Sequence, residues 1–272
     1  MKISVSNIAW DNKYLPEYLT LLKEVGCSGI EIAPNIIWHE PINSLIEDRK
    51  ALKKKIYNEG LEVTGFHALL FTRPDLQLFQ SKESRKSTVD YLCELVKVCH
   101  DLGGKQLIFG SPKNRKLHNR EYSECVDQAM EDFFQICEFS KKYNIFFCIE
   151  PLGPYETDFI KSVGEGGEIV NKINHPFMKL HIDTKAFFAT NENPDEIINK
   201  YKNVIQHVHI SDKSLKEPGS INTGHKKIGK ALNKIKYSKY LSIEMRKQEK
   251  NVKEAIIRSV LFVKENYKNE VN

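Results

Sequence analysis

Short β-rich runs alternate with amphipathic helical patterns along the whole chain, and this alternation constrains the fold more than any other feature. Eight such runs occur, at residues 3–10, 29–34, 63–70, 106–112, 146–151, 178–184, 205–212 and 240–246. Several of the intervening segments stop at residues that favour a left-handed helix cap, namely Gly26, Gly60, Gly103 and Asn144. The repetition predicts an α/β protein in which residues 1–272 form a single (β/α)8 TIM barrel.

A doubly wound nucleotide-binding sheet is disfavoured by the turn that follows the first run. That turn, SNIAWDNKY, lacks GxGxxG, and the chain has no GxxxxGK[ST] sequence. No linker, repeat or low-complexity segment divides the chain. We expect 35–62 and 111–122 to be loop insertions. We expect the weakest helix between Ser211 and Tyr240, where ALNKI supports little more than one turn.

Composition narrows the class of protein further. The hydrophobic content of 40% supports a large core, yet no run reaches the roughly 20 apolar residues that span a bilayer. The start, MKISVSNIAW, enters a strand pattern without a signal-peptide pattern, so we predict a cytoplasmic protein with no membrane partner. The net charge of +5 comes from scattered lysines, which argues against a nucleic-acid partner. The six cysteines form no CxxC pair and are predicted to be reduced core residues.

Four successive β-rich runs carry, at or near their ends, a side chain that can bind a metal or transfer a proton: Glu150, Asp183, His209 and Glu244. Side chains alternate along a strand, and TIM-barrel sites lie at the carboxyl ends of the strands. If these four point inward, the same alternation turns other residues inward as well: Cys148, His181, His207, Ser211, Ser242 and Arg246. The residues between them are apolar and would face the helices: Ile149, Ile182, Val208 and Ile243.

Two glutamates, an aspartate and a histidine that converge in a polar barrel mouth form a hard, mainly oxygen site for one divalent ion. Mn²⁺, Mg²⁺ and Co²⁺ suit these ligands best, and Zn²⁺ is also compatible. The alternative is that each acidic side chain pairs with a nearby lysine or arginine. The occurrence of all four at successive strand ends favours the metal site.

The order of these motifs resembles the xylose isomerase-like TIM-barrel superfamily, which includes ketose 3-epimerases, hydroxypyruvate isomerases, inosose dehydratases and endonuclease IV. The resemblance covers almost the whole chain and rests on GIEIAP, GFHALL, IEP followed by TDFI, HIDT, HVHISD, GHKKIGKAL and SIEM. It implies that Glu150, Asp183, His209 and Glu244 hold one divalent metal. It also implies that Glu150 and Glu244 act as the acid/base pair.

The resemblance implies a metal-dependent isomerase or epimerase acting on a sugar, a sugar phosphate or a sugar acid. Proton transfer would pass through a metal-stabilised enediolate. The expected partner is a small sugar or an anionic sugar derivative, and a homo-oligomer is left open. Three alternatives stay open: a dehydratase of a keto-inositol or sugar acid, an endonuclease IV-like hydrolase, and a non-catalytic sugar-binding barrel. The hydrolase is disfavoured because the fourth run ends in FGSP, without a histidine ligand.

The sequence departs from the superfamily pattern after the sixth run. Many epimerases of the superfamily have a histidine three residues after the aspartate, whereas DTKA places Lys185 and Ala186 here. Lys185 is therefore either a compensating charge in the site or a solvated lysine at a helix start.

Other residues near strand ends are candidates for substrate binding. The basic segment SPKNRKLHNREY is predicted to project Lys113, Arg115, Lys116 and Arg120 beside the site, which would suit an anionic substrate; a solvated loop is the alternative. Further candidates are His67, His225, Arg246 and Trp10, the last either a wall for a sugar ring or a plug of the barrel rim. Glu31 is predicted either to lie behind the metal ligands or, more simply, to be one partner of a buried pair. His181 and His207 are predicted to be hydrogen-bonded core residues one layer below.

Overall fold

Eight parallel strands close into a barrel in the computed structural model, which describes residues 1–221 and 223–267. Each strand pairs with its neighbours in the sequence, and β8 closes the barrel against β1. The strands are β1 to β8 in order: Lys2–Ser6, Gly29–Ile32, Glu62–Phe66, Gln106–Phe109, Phe146–Ile149, Met178–Asp183, Ile205–Ile210 and Tyr240–Ile243. The predicted (β/α)8 barrel is confirmed.

α-Helices surround the barrel and connect its strands. In the described part of the chain they are α1 to α10 in order: Leu15–Glu24, Pro34–Ile37, Ile46–Asn58, Lys82–Leu102, Tyr122–Lys141, Val163–Ile173, Thr184–Ala189, Pro194–Lys200, His225–Lys234 and Val252–Asn266. Short 3-10 helices occupy Asn7–Ala9, Asn12–Tyr14, Pro41–Asn43, Pro112–Arg115 and Lys213–Leu215. None of the described helices is long and apolar enough to cross a membrane.

Alternation along the strands separates a polar barrel interior from an apolar layer beneath the helices. Cys148, His181 and His207 are fully buried and alternate with Ile149, Ile182 and Val208, which belong to the main hydrophobic cluster or flank it. Helices and strands share this apolar layer, so burial of one face of each element stabilises the barrel as a unit. Polar side chains inside the barrel can therefore hydrogen-bond to residues at the carboxyl ends of the strands.

Several smaller predictions are confirmed and some are wrong. The backbone has positive φ at Gly26, Gly60, Gly103 and Asn144, at or just beyond the ends of helices. All six cysteines are free, and only Cys93 is more than slightly exposed. The segment 35–62 is more than a loop, because it contains α3 and all of α2 except its first residue. The helix before β8 is stronger than expected, since α9 has 10 residues and buries Ile228 and Leu232.

Candidate active site

The mouth of the barrel, at the carboxyl ends of its strands, brings together Glu150, Asp183, His209 and Glu244. One ligand atom from each lies within 4.8 Å of the corresponding atoms of the other three, and all four residues are buried. Asp183 ends β6 and His209 lies in β7, while the two glutamates directly follow β5 and β8. Adjacent strands therefore bring together residues that are up to about a hundred positions apart in the sequence.

Glu150 is held through its backbone, which leaves its carboxylate free to point into the mouth. Its N–H donates to the Phe109 carbonyl (3.0 Å), and its carbonyl accepts from Nη1 of Arg115 (2.9 Å). A Cβ at Gly110 would lie 2.1 Å from Oε2 of Glu150. Gly110 is therefore the residue that makes room for this carboxylate.

Asp183 is fully buried and both of its oxygens are engaged. Oδ1 accepts from the Ser211 hydroxyl and from the Lys185 backbone N–H (3.0 Å). Oδ2 accepts from the ammonium group of Lys185 (2.5 Å). The alternation that pointed Ser211 inward thus supplies a hydrogen bond that fixes the aspartate.

His209 is oriented from below by Glu31. Its Nε2 lies 2.8 Å from Oε2 of Glu31, which also accepts from the Ser242 hydroxyl (2.7 Å). The Nε2 atom of His207 lies 3.0 Å from the other oxygen of Glu31. A carboxylate behind one imidazole nitrogen fixes the ring and directs the other nitrogen outward, an arrangement typical of metal-binding histidines.

Glu244 receives a comparable constraint from His67. Nδ1 of His67 lies 3.2 Å from Oε1 of Glu244, and Nε2 of His67 is 2.6 Å from the Ser6 hydroxyl. The other oxygen of Glu244, Oε2, lies 3.4 Å from Nδ1 of His209. His67 therefore positions a proposed ligand, a role that its place at the end of β3 did not distinguish from substrate contact.

The surroundings of Glu150 and Glu244 shift the pKa values of these two glutamates in opposite directions. Burial raises the pKa of Glu150 to about 8. Burial acts in the same direction on Glu244, but the Lys185 ammonium and His209 overcome it and hold the pKa of Glu244 well below its usual value. Likewise, burial opposes a charge on His209, yet Glu31 and Glu244 raise its pKa well above the ordinary value. The site favours a positive charge at its centre.

The residues present fit a divalent metal ion. Nδ1 of His209 and Oε2 of Glu244 are buried and have no hydrogen-bond partner in the described chain, although they face one another across the cluster. An unpaired buried carboxylate oxygen is costly, and a cation would satisfy it. Nδ1 of His209 would bind the ion after losing the proton that its raised pKa retains. Three carboxylates and one imidazole suit a hard divalent ion, as the sequence predicted.

Two other groupings of possible ligands share His209: Glu31 with His207, and Glu150 with His181. Glu31 is committed to His209 and Ser242, so it serves to position a ligand. His181 is fully buried one layer below, and its Nε2 lies 4.0 Å from Oε1 of Glu150. Desolvation lowers the pKa of His181 well below its ordinary value, which keeps its ring neutral beside the carboxylates.

Lys185 lies inside the site, which settles one of the two alternatives drawn from the sequence. Its side chain is 12% exposed, and its ammonium contacts Asp183 and lies 3.7 Å from Oε2 of Glu244. Lys185 is therefore not a solvated lysine at a helix start. Glu156, from the loop after β5, approaches the same ammonium at 3.9 Å, and no sequence pattern had identified it.

The basic segment after β4 is only partly as expected. Lys113 is exposed, but Arg115 is fully buried and donates to the Glu150 carbonyl, so Arg115 neither projects from the loop beside the site, as predicted, nor is solvated, as the alternative had it. The cause is the 3-10 helix Pro112–Arg115, which turns the chain back towards the barrel. Burial lowers the pKa of Arg115 to about 10, against the opposing effect of Glu150. Arg115 supports the backbone of Glu150 from outside the mouth.

Three further candidates for substrate contact are Trp10, His225 and Arg246. Trp10 is 3% exposed and stacks on Tyr18 with ring centroids 4.8 Å apart, which matches the rim-plug alternative. His225 is buried, and its Nδ1 lies 2.7 Å from the Tyr267 hydroxyl, so its ring is held in the helix layer. Arg246 is exposed, because β8 ends at Ile243 and the alternation stops there. Its predicted inward orientation is wrong.

Comparison with known proteins gives a consistent result. A family model described as xylose isomerase-like TIM barrel matches residues 19–264. The chain is 23% identical over 248 residues to a D-psicose 3-epimerase of Ruminiclostridium cellulolyticum, a match that covers 88% of this chain and 81% of the relative. It is 24% identical over 258 residues to a probable ketose 3-epimerase of Synechocystis sp., covering 90% and 84% respectively.

Solved structures with the same fold include further sugar epimerases. A D-psicose 3-epimerase crystallised in the presence of D-fructose superposes with a TM-score of 0.82 at 16% identity, covering 98% of this chain and 99% of that one. A 3-keto-D-glucoside 4-epimerase from E. coli gives a TM-score of 0.83 at 17% identity, with 97% and 99% covered. At these identities the likeness shows a shared barrel architecture.

Replacement of Glu31 by Gln tests whether this carboxylate positions His209. We expect the affinity for Mn²⁺ to fall by roughly 10- to 100-fold, because the amide no longer holds the imidazole as an anion does. Isothermal titration calorimetry measures the affinity, and circular dichroism checks that the barrel stays folded. An unchanged affinity in a folded Glu31→Gln protein would show that His209 needs no such support.

The raised pKa of Glu150 predicts that metal binding depends on pH. Below about 8 this carboxyl is protonated, and a ligand must lose that proton before it can bind an ion. We expect Mn²⁺ affinity to rise with pH through about 8, because Glu150 must lose a proton and His209, whose pKa is also raised, must lose one as well. Titrations in buffers of different ionisation enthalpy should detect proton release at pH 7, whereas binding without proton release would contradict the prediction.

Proposed function

The chain belongs to the xylose isomerase-like TIM-barrel family, and on that premise we propose that it is a metal-dependent sugar isomerase or epimerase. Relatives that share most of its length are named as ketose 3-epimerases. The proposed metal ligands are Glu150, Asp183, His209 and Glu244. The proposed substrate is a small sugar, or a sugar derivative with an anionic group, that carries a carbonyl next to a hydroxyl-bearing carbon.

The observation that carries the proposal is the pair Glu150 and Glu244. Both lie close to His209, whose Nδ1 is 3.8 Å from Oε1 of Glu150 and 3.4 Å from Oε2 of Glu244. Their pKa values are displaced in opposite directions, which is the arrangement that assigns acid and base roles to two carboxyl groups. Strongly displaced pKa values in a cluster of buried titratable groups occur most often at functional sites.

The chemistry follows from these two groups. Glu244 is ionised and can accept a proton from the carbon beside the carbonyl, while Glu150, whose pKa is raised, is the carboxyl that more readily takes up a proton and passes it on. A divalent ion, when bound, would polarise the neighbouring oxygens of the sugar and acidify that carbon–hydrogen bond. Donation of a proton by the other carboxyl to the opposite face of the same carbon gives the epimer. Donation to the former carbonyl carbon, with the hydroxyl proton passed to the neighbouring oxygen, gives the isomer.

Other residues support this pair. His67 holds Glu244, the Arg115 guanidinium holds the carbonyl of Glu150, and Glu31 orients His209. Lys185 and Glu156 lie where they can contact the oxygens of a bound sugar. We assign substrate contacts also to Lys113, which is exposed on the loop after β4.

Turnover in D2O tests the proton-transfer mechanism. With Mn²⁺ present and a panel of ketoses and ketose phosphates, we expect deuterium on a carbon of the product, because the abstracted proton exchanges with solvent on the glutamate. Mass spectrometry or NMR of the product measures it. A product without carbon-bound deuterium would indicate a direct hydride shift, and a product that has lost water would identify the dehydratase alternative.

Glu150→Gln and Glu244→Gln separate acid/base roles from metal binding. Each change keeps an oxygen but removes the titrating group, so we expect activity to fall by roughly 100-fold or more. Metal content, measured by elemental analysis, should fall less than activity. Glu138→Gln is the matched control, since Glu138 also contacts a histidine, Nε2 of His175 at 2.7 Å, but lies on helix α5 outside the mouth.

A further inference from the structure

Lys185 engages the carboxylates that are proposed to bind the metal. Its ammonium nitrogen lies 2.5 Å from Oδ2 of Asp183 and 3.7 Å from Oε2 of Glu244. The other oxygen of Asp183 already accepts from Ser211 and from the Lys185 backbone. Oδ2 is therefore the oxygen through which Asp183 would reach an ion, and it is the one that the ammonium occupies.

A lysine in this position competes with a divalent ion. Both are cations that require the same oxygens of Asp183 and Glu244. An ion bound there would lie within a few ångströms of the ammonium, and like charges repel strongly at such distances in a site that is shielded from water. The ammonium and the ion therefore compete for Oδ2 of Asp183.

A second acceptor for the lysine lies on the outer side of the site. Oε1 of Glu156 is 3.9 Å from the ammonium nitrogen, and the Glu156 side chain is 41% exposed. The lysine side chain has a flexible stem of four carbons, so rotation about its bonds can carry the ammonium from Asp183 to Glu156 without backbone movement. Glu156 therefore provides a position in which the lysine stays paired while Asp183 is released.

We propose that Lys185 is an internal competitor of the metal ion: its ammonium binds Asp183 and Glu244, and it moves to Glu156 when a divalent ion takes those carboxylates. The inference rests on the metal site of the proposed function. Its consequence is a metal that is held more weakly and exchanged more readily than the four ligands alone would allow. The lysine also neutralises the carboxylates that would otherwise repel one another.

Calorimetric titration of the full chain with MnCl2 tests the competition. For Lys185→Met, which keeps the length of the stem but removes the charge, we expect Mn²⁺ to bind at least ~10-fold more tightly than in the wild type. Lys185→Arg keeps the charge and should bind Mn²⁺ more weakly than Lys185→Met does. Lys185→Gln, a second neutral variant, should bind more tightly like Lys185→Met.

Thermal melting supplies a readout independent of the titration. In EDTA, Lys185→Met should melt at a lower temperature than the wild type, because the clustered carboxylates lose their counter-charge. In saturating Mn²⁺ the difference should shrink or reverse, since tighter binding stabilises the folded state more. A variant that melts with the same offset in both conditions would contradict the competition.

Glu156→Gln, alone and combined with Lys185→Met, tests the movement of the lysine. If Glu156 receives the displaced ammonium, Glu156→Gln weakens Mn²⁺ binding in the wild type and has little effect in Lys185→Met. If Glu156 acts only through its charge, the loss is equal in both backgrounds, and the proposed movement is wrong.

The outcomes of the titrations distinguish a failure of the proposed competition from a failure of the proposed metal site. If the wild type binds Mn²⁺ and Lys185→Met binds it with an affinity within twofold of the wild type, the proposed competition is wrong. The proposed metal site is not affected by that result. Absence of Mn²⁺ binding in every variant overturns the metal site and the inference together.

Discussion

Mutual repulsion among Glu150, Asp183 and Glu244 is the constraint on which the mouth of the barrel depends. Each of these buried carboxylates has an oxygen within 4.8 Å of the others, a placement that is unfavourable unless positive charge lies among them. The structure provides that charge through Lys185 and through His209, whose pKa Glu31 and Glu244 raise. The proposed divalent ion serves the same purpose with greater charge. The close approach of the three carboxylates in the mouth therefore depends on a positive charge among them.

The barrel and the inward side chains could be predicted because both follow from local periodicity. Alternation along β5 to β8 places Glu150, Asp183 and His209 on one face, and parallel strands carry that face to one end. The same reasoning failed at Arg246, where β8 had already ended at Ile243. Alternation is informative only as far as the strand continues, and the sequence YLSIEMR does not show where pairing stops.

Features that depend on tertiary contacts were not predictable. Helix α6 contains Gly164, Gly166 and Gly167, which lower its intrinsic helix propensity, yet a Cβ at Gly166 would lie 2.4 Å from Pro151 and one at Gly167 would lie 2.6 Å from Tyr201. Close packing therefore requires glycines where propensity opposes them. Arg115 is similar, since an arginine in a basic loop is expected in solvent until a 3-10 turn buries it. Contacts between residues that are far apart in the sequence cannot be read from a local sequence pattern.

Anomalous X-ray scattering from crystals grown with Mn²⁺ tests the central claim most directly. Data collected at the manganese absorption edge locate the ion without reference to activity. The account predicts one strong peak per chain, within about 2.0–2.4 Å of carboxylate oxygens of Glu150, Asp183 and Glu244 and of Nδ1 of His209. A map with no peak among these four residues, or with its strongest peak elsewhere on the protein, would contradict it.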